Sequence, residues 1–266
     1  MIKSLIRKLL DRMGYVINKK NDEEKYWDKS RSMRGALSNL AKLGINPKCV
    51  FDVGVGHGTV DLYESFPNAF QLLVEPLDEF EGTIEKILAK YDGAWEKAAG
   101  MDQDGVMQMN VHPAHLEGSS FFNESIGSFA DGEQRVVTTK LLDTIAKERK
   151  LKGPYMIKID AQGAEKKIIL GAMEVLQDTD AVILEVSMFN FLVDCQIFHE
   201  IVNFMYNLGF LVYDIFGLSY RPFDDALAQV DLVFVKENSV LREKHIFSSI
   251  EEFKKTYANI NPLKDQ

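Results

Sequence analysis

Cys49-Val50-Phe51-Asp52-Val53-Gly54-Val55-Gly56-His57-Gly58-Thr59 is the stretch that decides the fold. Cys49 to Val53 is a short apolar run rich in β-forming residues and bounded by Pro47 and Gly54, the pattern of a strand buried on both faces. Residues 59–66 continue as helix, so the stretch reads as strand, glycine turn and helix. Glycines at 54, 56 and 58 allow turn dihedrals that side chains disfavour, and they remove Cβ atoms that would hold a ligand off the backbone. The amides that open the helix then offer a ligand seat.

Phe70 to Val74 is the next strand-like run, and Glu75 at its end stands 21 residues after Gly54. That is close to the roughly 20-residue spacing at which an acid meets a ribose diol. The dinucleotide pattern G-x-G-x-x-G is not kept: the third glycine comes one residue early and Thr59 holds its place, which disfavours NAD. Asp52, two residues before the first glycine, is ill placed for a pyrophosphate but suits a cation such as the sulfonium and ammonium of S-adenosylmethionine. The expectation is therefore an S-adenosylmethionine site built from Asp52, Gly54, Gly56, Gly58 and Glu75.

The chain has 266 residues, enough for one α/β domain with short extensions. The expected division is an N-terminal helical extension over 1–46, a cofactor-binding domain over 47–238 and a charged tail over 239–266. With 46% hydrophobic and 27% charged residues the composition is that of a folded globular protein. A net charge of -9 and the lack of basic and aromatic interleaving argue against a nucleic-acid partner. Cys49 and Cys195 show no metal-ligand or redox spacing, and no apolar run of about 18 residues offers a membrane span, so the expected location is cytoplasmic. Residues 1–20 place Ile2, Leu5, Ile6, Leu9 and Leu10 at helical spacing among Lys3, Arg7, Lys8 and Arg12. This basic amphipathic helix either packs on the domain or makes a peripheral contact with the inner membrane surface. Residues 22–46 read as a lid or substrate-side helix.

Gly153-Pro154 introduces a second strand-to-helix stretch, Tyr155-Met156-Ile157-Lys158-Ile159-Asp160-Ala161-Gln162-Gly163-Ala164-Glu165. Alternation puts Met156, Lys158 and Asp160 on one face and Ile157 and Ile159 on the other, so a lysine stands inside an apolar strand and needs a partner. Asp160 falls at the carboxyl end of the strand, where open α/β sheets bind ligands. Glu165 lies in the first helical turn, where the dipole favours a carboxylate whatever its function. Strand-like runs also cover 94–98, 106–111, 134–139, 181–186, 210–215 and 230–235, with Glu185 again near a carboxyl end. His112 and His115 read as exposed loop histidines. Loops near 22–46, 112–132 and 187–194 are the expected seats of acceptor specificity.

Five blocks taken in order, Phe51-Asp52-Val53-Gly54, Val74-Glu75-Pro76, Leu141-Leu142-Asp143, Ile157 to Glu165, and Val182-Ile183-Leu184-Glu185-Val186, make the chain resemble the FkbM family of S-adenosylmethionine-dependent methyltransferases. The likeness spans roughly residues 49–235. It departs from the family where many members carry Asn in the glycine turn and this chain has Gly56 followed by His57. The resemblance implies an α/β fold: a Rossmann-like class I methyltransferase sheet of seven strands, mostly parallel with the last antiparallel, and helices on both faces. It also implies O-methylation of a sugar, glycan or polyketide-like small molecule. Carried over by position, Asp52, Gly54 and Gly58 would cradle the methionine end and Glu75 the ribose hydroxyls, with Ala99, between Ala98 and Gly100, facing the adenine. Asp160 is the first candidate for general base, with Lys158 orienting it, Glu165 in the same block, and His57 and Glu185 in reserve. A magnesium ion on Asp160 and Glu185 is a lesser reading that is not expected. The competing classes are an NAD-dependent sugar oxidoreductase or epimerase and a non-catalytic nucleoside-binding module.

Overall fold

The computed structural model describes residues 32–257, so the membrane-contact reading of residues 1–20 lies outside the described residues. Ser32 caps the first helix, α1 (Met33–Lys42), through its side chain, which accepts from the Gly35 amide at 3.2 Å. There follow β1 (Cys49–Val53), α2 (Val60–Ser65), β2 (Phe70–Val74), α3 (Glu81–Leu88), β3 (Gly93–Glu96), β4 (Ala99–Gly100) and β5 (Gly105–Val111). The second half holds β6 (Glu133–Lys140), α4 (Leu142–Glu148), β7 (Tyr155–Ile159), α5 (Glu165–Leu170), β8 (Thr179–Ser187), α6 (Phe198–Asn207), β9 (Phe210–Tyr220), β10 (Leu227–Lys236) and α7 (Ile250–Tyr257).

Seven strands form one sheet in the order β3-β2-β1-β7-β8-β10-β9. β3, β2, β1, β7 and β8 run parallel, whereas β10 is antiparallel to both its neighbours, β8 and β9. This is the Rossmann-like methyltransferase sheet, with the last strand inserted second from the edge. β1 and β7 are buried at every position, as expected of central parallel strands. The alternation expected for β7 holds: Ile157 and Ile159 join one core with Phe51, Leu184, Ile168 and Ile201, while Met156 joins the opposite core with Val50, Leu37, Leu40 and Tyr63.

Of the segment expected to be a lid or substrate-side helix, the described part holds α1, whose buried Ala36, Leu37 and Leu40 share a core with Val50 of β1, while Met33 at its start borders the main cavity. The runs at 106–111 and 134–139 do not enter the main sheet but pair with each other and with β4 in a separate sheet, β4-β6-β5.

Candidate active site

The register of the main sheet places Val74, Val53, Ile159, Leu184 and Leu232 in one row across five strands. One residue further toward the carboxyl ends of the parallel strands, the next row reads Glu75, Gly54, Asp160, Glu185 and Asp231. Four carboxylates from distant parts of the sequence thus line up along the edge where such sheets bind ligands, with a glycine between the first two.

That glycine serves the protein first. A Cβ on Gly54, at φ +76°, would lie 1.9 Å from the Asp160 carbonyl oxygen, so only glycine lets the two strand ends meet. A Cβ on Gly58 would meet Ile87 Cδ1 at 2.9 Å. Only Gly56 leaves its Cβ position to ordinary contact, 3.7 Å from Glu117 Cγ. The missing Cβ at Gly54 and Gly58 thus makes room for the protein's own atoms, while all three glycines border the main cavity. The amides of the turn are likewise occupied: Gly56 N–H donates to Glu75 Oε2 at 3.2 Å, Gly58 N–H to the Val55 carbonyl at 2.8 Å, and Thr59 N–H to the Tyr63 hydroxyl at 3.0 Å. The turn thus does not present the row of open donors that a phosphate requires.

Glu75 is buried and also accepts from Leu77 N–H at 3.0 Å through Oε1. Burial pushes its carboxyl up, and the amides of Leu77, Gly56 and Val55 oppose that. The same amides fix the carboxylate at the wall of a cavity of about 730 Å³, which also exposes Gly54, Gly56, Phe80, Ala99, Met109, Leu116 and Phe121. Its size is within the range of about 300–1,000 Å³ typical of ligand sites. Its walls are apolar over Phe80, Ala99, Met109, Leu116 and Phe121, with one oriented acid, Glu75, beside them. Ala99 and Gly100 border the cavity, and Ala98 is buried beside them.

Asp52 does not face the cavity, which corrects its assignment to a cationic ligand. It is fully buried in β1, where Thr59 Oγ1 donates to Oδ1 at 3.2 Å, the Tyr63 hydroxyl donates to Oδ2, and Lys158 Nζ lies 3.6 Å from Oδ1. Register explains the pairing, since Asp52 and Lys158 are direct neighbours in β1 and β7. Lys158 Nζ also stands 3.4 Å from Asp160 Oδ2 and 3.4 Å from the Gly54 carbonyl. Burial pulls the Lys158 ammonium down, but Asp160 and Asp52 more than offset it and leave it above the usual lysine range. Lys158 is therefore a permanent cation that ties the glycine turn to Asp160.

Asp160 borders the cavity and accepts from Gln162 Nε2 at 3.2 Å. The same Nε2 lies 3.2 Å from Glu185 Oε2, so an N–H donor spans the gap in which a magnesium ion would have to sit. Among the described residues no cluster of three or more His, Cys, Asp or Glu side chains could hold a metal. Gln229 Nε2 also donates to Glu185 Oε2, at 2.9 Å. Burial, followed by the charges of Asp160 and Asp231, pushes the Glu185 carboxyl up to about 8; burial and Asp160 push Asp231 up to about 7.

Glu165 is absent from this cavity's lining. Its Oε1 accepts from Ala161 N–H and Gly163 N–H, both at 3.2 Å, at the start of α5, and burial pushes its carboxyl up to about 7. His57 borders the cavity on the Glu75 side, 2.7 Å from Glu117 and edge-on to the Phe80 ring at 5.4 Å. His115 is an exposed loop histidine, as expected, and it borders the cavity as well. Sequence reasoning missed Asp231, Gln162 and Gln229. Asp231 carried the signal that exposed Lys158, a charge inside an apolar strand; its place opposite Glu185 depends on β10 entering the sheet between β8 and β9.

This sheet order, with an acid after β2 and a row of polar groups at the carboxyl edge, defines a class I methyltransferase architecture. The methyltransferase FkbM domain profile matches residues 5–212, and the chain belongs to this family of S-adenosylmethionine-dependent methyltransferases. No curated protein matches the sequence. Among solved structures, the magnesium protoporphyrin IX methyltransferase of Synechocystis PCC 6803, determined with bound S-adenosylmethionine, is 12% identical; the match covers 88% of this chain and 96% of that one, with a TM-score of 0.42. The 1,6-didemethyltoxoflavin-N1-methyltransferase of Burkholderia thailandensis, determined with bound S-adenosylhomocysteine, is also 12% identical, covering 82% and 83% with a TM-score of 0.42. Precorrin-6y C5,15-methyltransferase from Geobacter metallireducens GS-15 is 14% identical over 76% and 87%, with a TM-score of 0.39.

Proposed function

We propose that this chain transfers the methyl group of S-adenosylmethionine to a hydroxyl of a sugar, glycan or polyketide-like small molecule. The observation that carries the cofactor reading is the charge of the cavity: six carboxylates, Asp61, Glu75, Glu117, Asp160, Glu185 and Asp231, border it with one lysine and no arginine. That lysine already serves Asp52 and Asp160. A dinucleotide would bring a pyrophosphate into this field with Lys158 already engaged and the Gly56, Gly58 and Thr59 amides occupied, whereas a sulfonium is attracted by it. Bound there, the cofactor supplies an electrophilic methyl group. Glu75 would hold the ribose hydroxyls, Ala99, Met109, Phe80 and Phe121 would enclose the base, and Asp160 would face the sulfonium. The rate then comes chiefly from alignment of the acceptor oxygen with the methyl carbon.

Calorimetric titration with S-adenosylhomocysteine and, in parallel, with NAD tests this reading, with Glu75→Ala as control. Binding of the first that is lost in the variant supports it. Binding of NAD alone would overturn it in favour of the oxidoreductase reading.

A further inference from the structure

The main cavity runs into a second one of about 220 Å³, and four residues border both: His115, Gln162, Glu185 and Gln229. Phe189 and Phe191 form part of the second wall, their rings 5.8 Å apart and tilted by 47°. The Arg221 guanidinium lies 3.8 Å over Phe189 and is held by two bonds of 2.6 Å to Asp224, which occupies its charge and stiffens the ring. The polar lining is His115, Glu124, Glu165, Glu185, Ser187, Gln162, Gln196 and Gln229, with no lysine or arginine. Carboxyl groups and primary amides beside an aromatic plate match the alternating hydroxyl groups and apolar C–H face of a sugar ring, and the lining offers no lysine or arginine to a phosphate or carboxylate.

We propose that this second cavity seats the methyl acceptor as an uncharged polyhydroxylated ring, and that Glu185, at the junction of the two cavities, takes the proton of the hydroxyl being methylated. The inference rests on the cofactor reading above. Strands lie about 4.8 Å apart, so Glu185 on β8 stands roughly 14 Å across the sheet from the Glu75 end of β2, which leaves room for a ribose and sulfonium between their side chains. The acceptor oxygen must lie where the cavities meet, and among carboxylates only Glu185 borders both. Asp160 is confined to the first cavity, and Lys158 and Gln162 engage its two oxygens. On Glu185 both amides donate to Oε2, which aims the carboxylate and leaves Oε1 for the acceptor. As the acceptor oxygen bonds to the methyl carbon, the carbon–sulfur bond breaks with its electron pair on sulfur, and the hydroxyl proton passes to Glu185 and then to solvent. The charged groups around Glu185 are Asp231 from β10, Asp160 and Lys158 from β7 and Glu165 from α5, with His115 at the same junction. Burial and the three acids hold its carboxyl near 8, well matched to abstracting a proton at mildly alkaline pH.

The test titrates methyl hexopyranosides and their 6-phosphates into full-length protein saturated with S-adenosylhomocysteine, then assays methyl transfer from S-adenosylmethionine. Uncharged glycosides should bind and the phosphates should bind at least about 10-fold more weakly, a difference of about 1.4 kcal/mol. Phe189→Ala should weaken glycoside binding by a similar factor with S-adenosylhomocysteine affinity unchanged. Glu185→Gln should still bind both ligands, lose roughly 10²–10⁴-fold in kcat, and lose the rise of kcat with pH near 8. No glycoside binding to the loaded protein, equal or better binding of the phosphates, wild-type binding by Phe189→Ala, or a Glu185→Gln variant with unchanged rate and pH profile would each overturn the proposal. Failure of S-adenosylhomocysteine itself to bind would overturn the cofactor reading and this inference with it.

Discussion

Gly54→Ala separates a glycine required by the protein from one left free for a ligand. At Gly54 the added Cβ would stand 1.9 Å from the Asp160 carbonyl oxygen and must retreat beyond 3.0 Å, yet both strand ends are pinned: Gly54 N–H donates to the Val74 carbonyl and Asp160 N–H to the Val53 carbonyl, each at 3.0 Å. The left-handed backbone costs alanine roughly 1–2 kcal/mol and the overpacking roughly 1–3 kcal/mol more. The sum is roughly 2–5 kcal/mol, which for a domain of this size lowers Tm by about 4–20 °C. Gly56→Ala is the matched control, because its φ is +50° and its Cβ would find nothing nearer than 3.7 Å. It should lose only the backbone part, about 2–8 °C. Thermal unfolding followed by circular dichroism, with the two variants and wild type in one buffer, measures the difference. Equal melting temperatures for the two variants would refute the argument that the Asp160 carbonyl, rather than the turn dihedral alone, dictates glycine at 54.

Tyr63→Phe removes the hydroxyl that donates to Asp52 and accepts from Thr59 N–H. It should destabilise by about 1–3 kcal/mol in chemical denaturation without changing the denaturant slope. Lys158→Met leaves Asp52 buried without its cation and should cost roughly 3–5 kcal/mol at neutral pH, with part of the loss recovered on acidification as the carboxyl protonates. Glu165 gives a pH signature of opposite sense to an ordinary salt bridge. Its carboxyl is raised from 4.5 to about 7 by burial, so the folded protein keeps a proton that the unfolded chain releases. Stability therefore falls as pH climbs from about 4.5 to about 7, by at most roughly 3 kcal/mol. Glu165→Gln keeps an acceptor oxygen for the Ala161 and Gly163 amides and should melt higher than wild type at pH 8, with the gap closing toward pH 5. A gap that is independent of pH would refute this assignment.

The fold was legible where local pattern and tertiary role coincide. Cys49 to Val53 and Tyr155 to Ile159 are apolar because they are central strands, and the glycine turn and Glu75 mark the cavity edge in any sheet of this type. Lys158 was legible as a buried charge in need of a partner, and its faces were predictable from strand alternation. What the sequence could not show was which charges meet. Asp52 and Lys158 are 106 positions apart and become neighbours only through the β1–β7 register, which turns a residue expected to bind a cationic ligand into the counter-ion of a lysine. Leu141-Leu142-Asp143 was visible only as a block; the Asp143 carboxylate accepts from Glu174 N–H and Val175 N–H, a structural duty that explains its place without any catalytic role.

The single lysine of the carboxylate row stands off its Glu185 and Asp231 side. Lys158 lies next to Asp160 and Asp52, whereas Glu185 and Asp231, side by side in β8 and β10, are raised by burial and by the charge of Asp160, which Lys158 offsets only in part. Carboxylates in such a setting hold protons near neutral pH. On the acceptor reading proposed above, this side of the row, rather than the lysine side, is the one suited to exchanging a proton. Asp231→Asn tests this division: removing one of the paired acids should lower the Glu185 carboxyl from about 8 and shift the alkaline rise of kcat to lower pH. A pH–rate profile for Asp231→Asn superimposable on that of wild type would show that the two acids do not share their field and would remove the physical basis for placing proton transfer on this side of the sheet.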